Sequence, residues 1–193
     1  QLLILGSSGK IESVIRSVIP AGEAPIIVAG IAVTRSGDIW ISDSANHRVI
    51  LLNSDGEFER IIGEGAPSTS SEGFDTPGGL TIDSAGNLFV ADTRNRVVKK
   101  YSPTGVSLQV IGEGWLDLPT SVAVNDRGQV FVGDEAAHLI SVFGPDGSYI
   151  GSISETRLSD PHSVKFDGDM LYVVDRLAGL FVFQPLEAEA GGQ

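Results

Sequence analysis

Four aspartates stand at one recurring place in this sequence and are the first residues that could do chemistry: Asp43, Asp92, Asp134 and Asp175, spaced 49, 42 and 41 residues apart. Carboxylates in such numbers could hold a hard cation or serve as acid and base. Their repetition points elsewhere. A catalytic group is needed once, whereas a carboxylate present in every repeat suits a turn whose backbone N–H groups need an acceptor. Three histidines accompany them. His47 and His138 match in repeat position, where a neutral imidazole can bridge to neighbouring backbone or to the turn aspartate. His162 stands apart, directly after Pro161 at the start of an apolar run. The chain has no cysteine, which removes disulfides, thiolate metal sites and thiol chemistry and leaves the redox compartment open. No GxSxG, HExxH, Walker or GxGxxG pattern occurs, so nucleophilic, zincin and nucleotide chemistry have no local support.

The elements that carry these residues are short strands. Four stretches align, beginning at Gly30, Gly79, Ser121 and Ser163. In each, a first apolar run (GIAV, GLTI, SVAV, SVKF) passes through a glycine-bearing turn to a second (IWIS, LFVA, VFVG, LYVV), which ends at the aspartate. A third run follows, and Asp55-Gly56, Thr104-Gly105 and Asp146-Gly147 mark hairpins into a fourth. Alternating β-branched and aromatic residues at period two predict strands and exclude a helical solenoid. Four antiparallel strands repeating every 40 to 50 residues or so are the signature of β-propeller blades. Residues 1–24 read as the last strands of an incomplete blade, with Ser8-Gly9 as their turn. Residues 25–186 hold the blades, at about 30–65, 79–114, 121–154 and 163–185, and 187–193 form a tail.

Composition agrees. Of 193 residues, 41% are hydrophobic and 24 are glycine, as in a turn-rich all-β chain with a substantial core. No apolar stretch approaches the roughly 18 residues of a transmembrane helix. A net charge of −12 repels phosphate and anionic headgroups, so nucleic acid is not an expected partner. The one dense basic cluster, Arg94, Arg96, Lys99 and Lys100, reads as a solvated outer strand. The chain starts at Gln1 without an initiator methionine, which fits either removal of a targeting segment or a piece of a longer polypeptide.

The run SDSANHRVILLNSDG, preceded by GIAVTRSGDIWI, resembles an NHL repeat, with Asn46-His47-Arg48 in the place of the naming triplet. The same place holds Asn95-Arg96, Ala137-His138-Leu139 and Ala178-Gly179-Leu180 in the later repeats, so the triplet decays. The resemblance implies an all-β propeller of four-stranded antiparallel blades, four to five of them here, forming part of a six-bladed ring. Amidating lyases of this superfamily resemble a zinc enzyme with histidines at Pro-His positions. Here those positions hold Ala29, Gly78, Thr120 and His162, one ligand where three are needed. A lactonase-like calcium site would call on Asn125, Asp126 and Asp167, each also at home in a turn. The expectation is therefore a non-catalytic scaffold or accessory subunit of a larger assembly, without cofactor, secreted or periplasmic, and binding a protein or peptide. A metal-dependent lyase or lactonase-like hydrolase with a site in the central channel is the alternative. The residues expected to meet a partner are Trp115 and Leu116 in a loop between blades, Phe74 in the Ser/Gly/Pro-rich insert Gly65 to Thr76, and His162.

Overall fold

The computed structural model describes residues 2–5, 8–15 and 24–184; the expected tail at 187–193 lies outside them, as does part of the 1–24 segment. Strands β1 (Leu2–Leu5) and β2 (Ile11–Ile15) form a hairpin. Three four-stranded antiparallel sheets follow, each in chain order. The first is β3 (Val28–Val33), β4 (Ile39–Asp43), β5 (Arg48–Leu52) and β6 (Phe58–Ile62). The second is β7 (Pro77–Ile82), β8 (Leu88–Asp92), β9 (Val97–Tyr101) and β10 (Ser107–Ile111). The third is β11 (Pro119–Val124), β12 (Val130–Asp134), β13 (Leu139–Phe143) and β14 (Tyr149–Ile153). A three-stranded sheet, β15 (Pro161–Asp167), β16 (Met170–Asp175) and β17 (Gly179–Phe183), completes four blades in a propeller arrangement.

The first three blades bury both faces of the second strand, so β4, β8 and β12 are buried from end to end, whereas β16 leaves Val174 exposed. Period-two alternation sends one set of side chains to the preceding blade and the other to the following one. Trp40, Val49 and Leu51 of blade one thus meet Leu80, Leu88, Val90 and Tyr101 of blade two. Phe89, Val98 and Ile111 meet Val122, Val132 and Phe143 of blade three. Phe131 and Ile140 meet Val164, Leu171 and Val173 of blade four, with Phe131 edge-on to Phe166 at 4.9 Å. Ile15 of the hairpin closes over Ile39, Ile41, Ile50 and Leu52. The inner strands β3, β7, β11 and β15 lie side by side in that order. Gly78 permits the closest approach, since a Cβ there would stand 2.8 Å from the Thr120 carbonyl oxygen.

The inner strands begin about two residues earlier than alternation implies, because each carries an irregularity near its start, between Val28 and Gly30, Pro77 and Leu80, Pro119 and Ser121, and Pro161 and Ser163. A bulge adds a residue and breaks the period that reveals a strand. The basic cluster also differs from expectation. Lys99 is buried, while Lys100 points to the other face, 4.9 Å from the Phe89 ring centroid. Adjacent residues on one strand cannot share a face, so the four charges do not form one surface.

Among the described residues two apolar faces are open to solvent. Ile31 and Val33 of β3 lie on the hairpin side of blade one, and Val174, Leu180 and Val182 lie on the far side of blade four. Leu171→Ala removes a fully buried side chain and should cost about 2–5 kcal/mol in urea unfolding. Leu180→Ser on the open face should stay within about 0.5 kcal/mol of the parent. Equal losses would show that the far face of blade four is packed.

Candidate functional site

The four repeat aspartates are 0–2% exposed, and each accepts backbone N–H groups from the linker that leads into its own blade. Ile27 N–H donates to Asp43 Oδ1 at 3.0 Å and Asp75 N–H to Asp92 Oδ1 at 2.7 Å. Asp117 and Leu118 donate to Asp134, and Ser159 and Asp160 to Asp175, at 2.7–2.9 Å. Buried carboxylates require such satisfaction. In blades one and two it is completed by an asparagine and a cation: Asn46 and Arg48 on Asp43, Asn95 and Lys99 on Asp92. In blades three and four it is completed by local N–H groups, from Ala137 to Asp134 and from Leu177 and Ala178 to Asp175. The recurring carboxylates thus serve the architecture.

The electrostatic outcomes differ. Burial is the largest influence on both Asp92 and Asp175 and pushes both carboxyls upward. At Asp92 it prevails over the bonds from Lys99, Asn95 and Asp75, and the carboxyl stays above its ordinary 3.8. At Asp175 four backbone N–H bonds, from Asp160, Ser159, Ala178 and Leu177, outweigh it and hold the carboxyl below 3.8.

A second repeated device joins blade to blade. His47, Arg96 and His138 adopt left-handed backbone conformations, with φ of 51°, 59° and 57°, and Gly179 takes the same place with φ of 101°. His47 Nδ1 accepts the Thr76 N–H at 3.0 Å, Arg96 pairs with Asp117 at 3.2 Å, and His138 Nδ1 bonds the Ser159 carbonyl. Each side chain reaches the linker into the next blade.

The inner strands enclose a cavity of about 910 Å³ lined largely by backbone and small residues, with Thr120, His162 and Lys165 among its polar side chains. His162 sits half-exposed where β15 begins, and its neighbours form a charged group at the seam of blades three and four. One ligand atom each from Glu135, Asp160 and His162 lie within 4.8 Å of one another. Arg176 stands among them, donating from one terminal nitrogen to His162 Nδ1 at 2.8 Å and lying 3.4 Å from Asp160 Oδ2 and 3.8 Å from Glu135 Oε1. The sequence reading isolated His162 and missed Glu135, Asp160 and Arg176. The residue after the repeat aspartate is Ser44 and Thr93 in the first two blades but Glu135 and Arg176 in the last two. That change was the available signal. A separate hollow of about 580 Å³ opens at the turns after the inner strands, where Asn125 is occupied by its own turn, accepting Arg127 and Gln129 N–H groups.

The loop residues divide by burial. Trp115 is 59% exposed and stacks on Tyr149 of blade three at 4.0 Å and 11°. Leu116 beside it is buried in the core between blades two and three, so it anchors the loop and offers a partner little surface. Phe74 likewise differs from expectation. It is fully buried between blades one and two because blade two holds the insert down: Lys99 donates to the Ser70 and Gly73 carbonyls, Tyr101 to Ser71 and Asn95 to Ser68, all at 2.7–2.8 Å.

A family model described as NHL repeat matches residues 28–50 and 116–143. Among solved structures, a chain of a nidogen/laminin complex aligns with TM-score 0.69 at 21% identity, covering 81% of this chain and 59% of that one. A catalytically inactive virginiamycin B lyase from Staphylococcus aureus with quinupristin aligns with TM-score 0.73 at 12% identity, over 94% and 58%. Hydrazine synthase from Kuenenia stuttgartiensis aligns with TM-score 0.67 at 14% identity, over 86% and 49%. The chain therefore spans half to three fifths of these chains, and the likeness is one of fold. No curated protein matches the sequence significantly.

A carboxyl held below its unfolded value contributes stability above that value and loses it as the pH falls through the folded one. Asp175 is of this kind; Asp92, held above, has the opposite sign. Asp175→Asn should cost about 1–3 kcal/mol at pH 7 and flatten the decline of stability as the pH falls below the ordinary carboxylate range. An acid limb unchanged from the parent in urea titrations would overturn the assignment.

Proposed function

The chain is an NHL-repeat β-propeller, and from that premise we infer that it is a non-catalytic scaffold that presents loops on a rigid frame to a protein or peptide partner outside the cytoplasm. The observation that carries this reading is Trp115. A large ring more than half exposed on a structured loop, braced by Tyr149 and pinned by Leu116, has the character of an interface anchor. Glu113 flanks it and the chain carries a net charge of −12, while Asp117 is already paired with Arg96, so a partner surface of opposite charge is favoured. A chain of a nidogen/laminin complex among the similar structures lends the reading support at the level of fold.

The proposal includes closure of the ring by further blades, six in all, which at about 42 residues each needs roughly 250 residues. The open faces at Ile31 and Val33 and at Val174, Leu180 and Val182 support it, since exposed apolar faces of this kind mark contact surfaces. So does the fraction of the similar chains that this one spans. Among the described residues no helix is long and apolar enough to cross a membrane. A second reading, a metal-dependent lyase or lactonase-like hydrolase working in the central channel, is favoured by the charged group around His162.

Trp115→Ala should weaken capture of a defined partner by about tenfold or more while leaving the unfolding midpoint in place. Surface-binding measurements on the two proteins with a partner identified from the source organism make the test. Undiminished binding by the variant would remove Trp115 from the site.

A further inference from the structure

We propose that Glu135, Asp160 and His162 form a binding site for one divalent transition-metal ion, and that Arg176 is a tethered cation which occupies the site until metal displaces it. This is independent of the scaffold reading, because an ion there leaves the Trp115 loop untouched.

The first support is convergence. Three residues from separate places, the ends of β12 and of the linker before β15 and the start of β15 itself, bring one ligand atom each within 4.8 Å of the others. The second is an unpartnered atom. Asp160 is 8% exposed, and its Oδ1 has no hydrogen-bond partner among the described residues, although a buried carboxylate oxygen ordinarily has one. At the matching place before the inner strand the other blades carry Ile27, Thr76 and Leu118, so no repeat-wide need for a carboxylate explains it.

The third is the manner in which Arg176 is held. Elsewhere a cation that serves a buried carboxylate is itself buried and close: Arg48 lies 3.0 Å from Asp43 and Lys99 2.8 Å from Asp92, with side chains 6% and 3% exposed. Arg176 is 53% exposed and stands 3.4 Å and 3.8 Å from its two carboxylates. It balances charge without being locked in place. Its donation to His162 Nδ1 leaves that nitrogen an acceptor, and the lone pair it now uses is the one a metal would take.

One imidazole nitrogen and two carboxylates suit zinc or manganese better than calcium or magnesium, which favour all-oxygen shells. The carboxylates neutralise a divalent ion once the guanidinium swings away. Three protein ligands leave a position open, and His162 lines the central cavity, from which water or a small ligand could complete the shell.

The test is calorimetric titration of the full chain with manganese chloride and with zinc chloride. Removing the competitor in Arg176→Ala should tighten binding about tenfold at one ion per chain, and Asp160→Asn and His162→Ala should each weaken it about tenfold or more. His47→Ala should change nothing. His162 is half-exposed, so its alanine variant keeps the test valid if Asp160→Asn fails to fold by circular dichroism. Failure of Arg176→Ala to bind either metal at one ion per chain would overturn the proposal, as would parent-like affinity in His162→Ala.

Discussion

A buried carboxylate that accepts N–H bonds from a chain segment 15–17 residues earlier is the constraint on which the blades depend. The bond ties the linker returning to the axis to the end of the second strand, so the inner strand starts at a fixed height and its alternation falls on the right faces. A one-residue slip there would turn every core residue outward. The carboxylate is free to be buried because its lone pairs are filled, by two different means. Blades one and two use asparagine with arginine or lysine, and blades three and four use further backbone N–H groups. Geometry is kept while composition changes, and the two carboxyls end on opposite sides of the ordinary value because burial prevails at Asp92 and backbone N–H bonds outweigh it at Asp175.

The same logic explains why the naming triplet decays without loss of the repeat. What its middle position demands is a left-handed backbone, which His47, Arg96, His138 and Gly179 all supply. For three of them the side chain also grips the next linker, whether by an imidazole or a guanidinium. The asparagine before it accompanies the aspartates of blades one and two, which have one linker N–H each and none of the local N–H donors that serve Asp134 and Asp175.

The strands and their turns were legible in the sequence because period-two burial and glycine at positive φ are local properties; Gly56, Gly105 and Gly147 all lie near φ of 80°. Long-range contacts were not. Phe74 and Leu116 read as surface because they sit in polar, glycine-rich loops, and only the reach of Lys99, Tyr101 and Asn95 across about 30 residues draws the Phe74 loop into the core. Lys99 itself read as solvated, since a lone strand does not reveal which of its faces will be covered. The charged group at His162 was invisible for the same reason. Glu135 and Arg176 lie 41 residues apart in sequence and meet only because blades three and four share a seam.

The side chains at the left-handed positions all reach forward, from each blade to the one that follows. The array is therefore vectorial: each polar latch points in a single sense, through histidine, arginine and histidine, and the series stops at Gly179, which has no side chain to extend. A neighbour beyond blade four would be gripped by greasy contact with Val174, Leu180 and Val182 instead of by a polar latch. Such contact carries no polar latch of the kind that fixes the other three seams.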